Sequence, residues 1–290
     1  MTESTLEITR LNWSTLRYMA TSPKLLRWRV DHPRPESEAL RLGRAIHCAV
    51  LEPDVFSDRW LTSSTCKATT KAGSPCGSTG TLYLDGAWYC RVKGHAPNGA
   101  GQLPDGKEVI TEEELAIVRL CSESVRAHPV AARLLTGGHS EHEVTWDDAE
   151  SGVACRGRMD YLRPSDLVDL KSTRRETVRE FMGDAARHLY HGQLAWYHDG
   201  AIAAGKLPKD AGLPYIVSVS TVEPYDVAVY RLSPVSYAAG QILYRDLLRK
   251  YVDCRTADWW PGAAPDLVEL DLPNWAPGMA GPEEENGGEW

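Results

Sequence analysis

Two aspartates and a lysine stand close together in two short runs, Gly157-Arg158-Met159-Asp160 and Asp169-Leu170-Lys171-Ser172-Thr173. On an extended strand Asp169 and Lys171 project from one face, while Val168 and Leu170 turn to the other. Asp160 can reach the same point from a neighbouring strand. Two carboxylates converging on one point make a hard oxygen site suited to Mg²⁺ or Mn²⁺. An ammonium beside such an ion can orient and help deprotonate a water, or stabilise charge on a phosphate.

The flanking sequence supplies the elements this arrangement needs. Residues 153–163 interleave β-branched and apolar residues with polar ones, Pro164-Ser165-Asp166 is a turn cluster, and residues 167–173 form a second strand. A strand over 141–146 pairs with 153–163 through the turn at 147–152. It carries Glu143, which is either a further carboxylate for the site or an exposed strand residue. A helix over 38–51 holds Gly43-Arg44-Ala45-Ile46-His47. His47 reads as a core histidine or as a ligand, and Gly43 one turn earlier would let a backbone or a ligand come close. Residues 176–205 read as two helical pieces parted near Leu189. In the second, Gln193 and Tyr197 are four apart and share one face, either as an amide and phenol presented together or as a packed Tyr beside a surface Gln.

The remaining elements frame these. Asn12 or Ser14 caps a first helix with Leu16, Met19 and Ala20 inward, and Ser22-Pro23 starts a second. Arg17, Lys24, Arg27 and Arg29 make this segment basic, as a solvated face or a DNA contact. Thr111-Glu112-Glu113-Glu114 is a capping box opening a helix that breaks at Pro129. Residues 214–222 and 225–232 form a hairpin around Glu223-Pro224, and Ser233-Pro234 starts a long last helix.

Residues 66–95 differ in texture. Cys66, Cys76, Cys90 and His95 fall as C-x9-C-x13-C-x4-H in a stretch rich in Gly, Ser and Thr that cannot build its own core. Three Cys and one His form a closed tetrahedral set for Zn²⁺, and a coreless segment needs such a staple. A disulfide and a set of unrelated cysteines are the rival readings. Cys48, Cys121, Cys155 and Cys254 read as buried thiols.

Composition bounds the function. The 290 residues, 42% hydrophobic and 25% charged, suit one globular domain with an insertion. A net charge of −8 argues against a protein that coats nucleic acid, though not against a local basic channel. The sequence has no apolar run of membrane-span length and no basic-then-apolar start, so a cytoplasmic protein is expected.

The order Gly43-x-x-x-His47, Gly157-x-x-Asp160, Asp169-x-Lys171, Gln193-x-x-x-Tyr197 resembles the RecB-like branch of the PD-(D/E)XK nuclease superfamily. The phrases around His47, residues 42–53, and Val168-Asp169-Leu170-Lys171-Ser172-Thr173 resemble more narrowly the RecE (exodeoxyribonuclease VIII) group of phages and prophages. The likeness spans residues 11–248. It departs from the group in the 66–95 insertion and in Asp169, where many relatives carry Glu. The resemblance implies an α/β, three-layer PD-(D/E)XK core with a mixed central sheet flanked by helices, formed by residues 1–60 and 100–255. The metal-stapled insertion then spans 61–99, and a tail spans 256–290 with a disordered end over 281–290. It implies a metal-dependent exonuclease acting on linear double-stranded DNA in phage-type recombination within a bacterial host. Asp160, Asp169, the Leu170 carbonyl and His47 would hold Mg²⁺ or Mn²⁺, with Glu143 as an optional addition. Lys171 would position and activate the attacking water, and Gln193 and Tyr197 would support the site. Arg158, Thr173, Arg174 and Arg175, with Arg179, would meet the DNA backbone. An oligomer and a single-strand annealing partner are implied as well. The alternative is a non-catalytic DNA-binding or recombination-assembly protein that works through the zinc insertion. An iron–sulfur variant fits poorly, because only Cys254 follows the catalytic strands.

Overall fold

The structure is a computed structural model and describes residues 8–98, 100–101, 103–175, 177–273 and 276. In chain order the elements are α1 (Trp13–Leu16), a 3₁₀ turn (Arg17–Ala20), α2 (Pro23–Asp31), α3 (Glu38–Leu51), α4 (Pro53–Arg59), β1 (Trp60–Thr62), β2 (Leu82–Leu84), β3 (Ala87–Tyr89) and β4 (Glu108–Ile110). There follow α5 (Glu112–Ala127), α6 (Pro129–Leu134), β5 (His139–Asp147), β6 (Ala154–Leu162), β7 (Leu167–Thr173), α7 (Val178–Arg187), α8 (Tyr190–Ala203), β8 (Tyr215–Ser220), β9 (Val227–Arg231) and α9 (Pro234–Ala257).

Local chemistry sets the helix starts. The side chains of Asn12, Ser22, Ser37 and Ser233 accept from amides in the first turns of α1, α2, α3 and α9. Thr111 and Glu114 close a reciprocal capping box on α5, and Thr177 and Glu180 close one on α7. Leu16 and Met19 are buried as expected, whereas Ala20 is exposed. The chain tightens there to three residues per turn, which rotates Ala20 off the buried face. Leu189 sits in the left-handed region with φ 58° and parts α7 from α8.

The central sheet runs β5-β6-β7-β8-β9, antiparallel except for the parallel β7–β8 pair, which α7 and α8 connect. Helices cover both faces, making a mixed α/β sandwich. On one face Trp13, Leu16 and Leu26 join Trp146, Met159, Leu194, Trp196, Tyr244 and Leu247 in one apolar cluster. On the other, Ala45 and Ile46 of α3, Val118 and Val125 of α5 and Leu134 of α6 pack on Val168, Leu170, Val217 and Val219. Helix α8 has no single apolar face because the sheet lies on one side and α9 on the other. The Trp196 ring meets Trp146 and Tyr244 edge-on, with centroids 5.2 and 5.7 Å away.

Polar contacts lock α8 to α9. Asp199 accepts from Tyr244 Oη at 2.6 Å, Gln241 Nε2 at 2.8 Å and the Tyr237 hydroxyl. Between β1 and β4, which pair in parallel, lies the small β2–β3 hairpin. After α9 the described tail, residues 258–273, carries no helix or strand, and the stretch 281–290 falls outside the described residues. No described helix is long and apolar enough to cross a membrane.

Helices α8 and α9 approach closely at Gly240, where an added Cβ would stand 2.2 Å from the His191 carbonyl oxygen. Alanine normally favours a helix over glycine by about 1 kcal/mol. Here Gly240→Ala should instead cost about 1–3 kcal/mol through overpacking. The shift of the urea midpoint measures it, and a rise in stability would show that the two helices separate freely.

Candidate active site

The site lies where two strands part. β6 and β7 pair only at Tyr161↔Val168 and Leu162↔Leu167, whereas β7 follows β8 for six positions. Beyond the Tyr161↔Val168 pair, the Leu170 amide donates to Asp160 Oδ2 at 2.8 Å in place of a backbone carbonyl. Asp160 is thereby fixed in the gap. Asp169, 1% exposed, presents Oδ2 to Lys171 Nζ at 2.6 Å, and its Oδ1 has no hydrogen-bond partner. Lys171 Nζ also stands 4.9 Å from the centre of the Tyr190 ring.

His47 arrives from α3 with Nδ1 3.7 Å from Asp160 Oδ2. The room at Gly43, one turn before it, is taken by Ser172 Oγ, 3.2 Å from where a Cβ would be. From α8, Tyr197 lays its ring on Gly157, whose absent Cβ would come within 2.8 Å of it. Gln193 and Tyr197, four apart on α8, share one helix face, both half-buried. The Gly157 spacing thus makes room for the Tyr197 ring three residues before Asp160.

The charges are mutually dependent. Burial, with a smaller push from Asp160, carries Asp169 up to about 6 against the pull of Lys171. Burial also raises Asp160. Burial pulls Lys171 down, but Asp169 and Asp160 outweigh it and hold the ammonium protonated beyond its usual range. Burial first, then Lys171, lowers His47 to about 4, leaving a neutral imidazole with a free lone pair at pH 7. A neutral imidazole and two carboxylates, one of them with a buried oxygen that has no donor, form a donor set that fits a divalent cation.

The other candidates separate into those at the site and those beside it. Glu143 is exposed and lies across from Arg158, away from the cluster. The carboxylate that β5 brings in is Glu141, whose ligand atom lies within 4.8 Å of those of His47 and Asp160. Glu141 has φ 47°, and this left-handed turn of the backbone is what a strict strand alternation could not foresee. Arg158, 67% exposed, pairs with Glu141 at 2.9 Å. Thr173, Arg174 and Arg175 line a cavity of about 490 Å³ with Ser172, His188 and Tyr190. Arg175 is tied to Asp184 at 2.6 Å. Arg174 is exposed, with no ion partner among the described residues. Tyr190 was invisible in the sequence, and its place at the first turn of α8, just after Leu189, is the local cue that brings it over Lys171.

In the insertion, Cys66, Cys76, Cys90 and His95 offer four ligand atoms within 4.8 Å of one another. Cys76 and Cys90 sulfurs are 3.8 Å apart, Cys90 Sγ is 3.2 Å from His95 Nδ1 and Cys66 Sγ 3.9 Å from it. All three thiols are free, and a disulfide needs sulfurs about 2.05 Å apart. Sulfurs bound at about 2.3 Å around a tetrahedral Zn²⁺ stand about 3.8 Å apart. Hydrogen bonds with Ser78 draw the Cys76 thiol down to about 6, toward the thiolate. Apart from Ala68 and Tyr89, little apolar material packs on these cysteines. Cys48, Cys121, Cys155 and Cys254 are buried free thiols.

A mixed sheet flanked by helices, with aspartates and a lysine at the parting of two strands, is the arrangement of the PD-(D/E)XK nuclease class. Residues 14–267 match the family described as "PDDEXK-like domain of unknown function (DUF3799)", and the chain belongs to that family. The fold is similar to the crystal structure of the "Putative exonuclease" from Eubacterium rectale, with a TM-score of 0.55 over 94% of this chain and 96% of that one, at 11% identity. No curated protein matches the chain.

The charge balance is checked by NMR titration of metal-free protein. His47 should titrate at about 4, and Lys171→Met should raise that midpoint by removing a neighbouring cation. An unchanged midpoint would remove Lys171 from the causes.

Proposed function

We propose that this protein is a metal-dependent deoxyribonuclease that degrades linear, double-stranded DNA from its ends, a RecE-like exonuclease serving recombination. The observation that carries the reading is the convergence of Asp160, Asp169, Lys171 and His47 in the gap between β6 and β7. Asp160, Asp169, the Leu170 carbonyl and His47 would hold Mg²⁺ or Mn²⁺. A divalent ion there supplies an acidified water and neutralises charge on the scissile phosphate.

The chain's own residues do the rest. Lys171, kept protonated by Asp169 and Asp160, cannot take a proton in that state, so it orients the water and meets phosphate charge as an ammonium. Gln193 and Tyr197 hold β6 and α8 in register behind Asp160. Exposed Arg158 and Arg174, with Thr173 and Arg175 at the adjoining cavity, are suited to the DNA backbone rather than to base edges. The net charge of −8 leaves binding to this local field. The same reading includes a homo-oligomer, a single-strand annealing partner and a bacterial cytoplasm harbouring a phage or prophage.

In the insertion, Cys66, Cys76, Cys90 and His95 hold a structural Zn²⁺, with residues 61–99 as a module on a core formed by 1–60 and 100–255. Purified protein should carry one zinc per chain. Cys76→Ser should lose most of it by elemental analysis, and full retention would remove Cys76 from the ligands.

Digestion of end-labelled linear duplex beside closed circular DNA, with Mg²⁺ or Mn²⁺ and with chelator, tests the nuclease. Linear DNA alone should disappear, only with the ion, and Lys171→Ala should slow it by at least a hundredfold. Absence of cleavage by folded, metal-supplemented protein would overturn the nuclease and favour a DNA-binding or assembly role for the zinc module.

A further inference from the structure

Glu141 and Asp160 occupy facing positions of the β5–β6 ladder, between the pairs Ser140↔Tyr161 and His142↔Met159. The pairing is interrupted at this step alone within 139–147, because Glu141 adopts φ 47°. A non-glycine residue in that region costs on the order of 1–2 kcal/mol. The turn brings the carboxylate to within 4.8 Å of the ligand atoms of His47 and Asp160, with the side chain 21% exposed. Two carboxylates held this close repel unless a cation lies between them. The cation paired with Glu141 is Arg158, at 2.9 Å and 67% exposed, so it can leave at little cost. Next to Asp160, the buried Asp169 Oδ1 still lacks a donor.

We propose that Glu141 is a metal ligand, completing with His47 and Asp160 a one-nitrogen, two-carboxylate position for a divalent cation, of which Mn²⁺ is the best-matched hard-to-borderline ion. The inference deepens the nuclease reading and is distinct from the Asp160–Asp169 position, since Asp169 stands outside this group and is engaged by Lys171. Asp160 is common to both, so the two positions share a bridging carboxylate.

Mn²⁺ binding to zinc-loaded protein, followed by electron paramagnetic resonance of the free ion and by calorimetry, tests this without requiring cleavage. Glu141→Gln should weaken Mn²⁺ at one position at least tenfold, while Glu143→Gln, on the same strand but exposed, should change it less than twofold. The double variant Glu141→Gln/Arg158→Ala separates a lost ligand from a released arginine that repels the ion. It should stay weak, and recovery of wild-type affinity would overturn the proposal. So would wild-type binding by Glu141→Gln. If Glu141→Gln does not fold, Glu141→Asp, which draws the carboxylate back by one methylene, should show the same fall. Glu141-dependent binding without DNA cleavage would leave the ligand in place and remove the nuclease. Cleavage with binding indifferent to Glu141 would do the reverse.

Discussion

The hydrogen bond from the Leu170 amide to Asp160 Oδ2 is the constraint on which the site rests. A buried backbone donor that leaves its ladder must find another acceptor. Where β6 parts from β7, the Asp160 carboxylate takes that place. One contact therefore satisfies the backbone, fixes the Asp160 carboxylate and keeps open the wedge into which His47 descends. Val168 and Leu170 hold the other side of β7 against α3 and α5, so the strand cannot roll to close the gap.

That wedge concentrates charge in a partly dry place. Asp169 is nearly inaccessible, and Lys171 is its immediate counter-ion at 2.6 Å. The lysine cannot neutralise two aspartates and a glutamate together, and its ammonium is further engaged by the Tyr190 ring. Burial pushes both aspartates upward, with Asp160 adding to the rise at Asp169, and the same buried excess of negative charge is what would make a divalent ion bind. Affinity for a cation and cost in its absence are thus two sides of one arrangement.

Much of this was legible in the sequence, for identifiable reasons. Near-strict period-two alternation in 167–171 and the turn at Pro164-Ser165-Asp166 determine β7 and the side on which Asp169 and Lys171 lie. The split of 176–205 near Leu189 and the break at Pro129 are equally local. What escaped depends on tertiary geometry. A strand pattern assigns Glu141 and Glu143 to the same face, and only the left-handed backbone at Glu141 separates their fates. Tyr190 over Lys171 requires knowing how α8 enters above β7. Likewise His47 on an apolar helix reads more readily as core than as ligand until α3 is seen to lie over the parting strands.

The insertion poses a different physical problem from the core. β1 and β4 pair in parallel, so the chain between them must travel back along their length before returning. The return is made by a segment whose packed interior is essentially three cysteines. Below it, Glu108 of β4 is gripped by Arg59 at 3.0 Å and by Arg44 of α3, and Glu114 of α5 by Arg41 at 2.6 Å. These pairs tie both ends of the loop to the helix that carries His47. The core therefore closes beneath the insertion through its own contacts, and the cysteine–histidine cluster has only its own segment to organise. Placement of His47 depends on α3 packing against Val168 and Leu170 rather than on the state of the thiols.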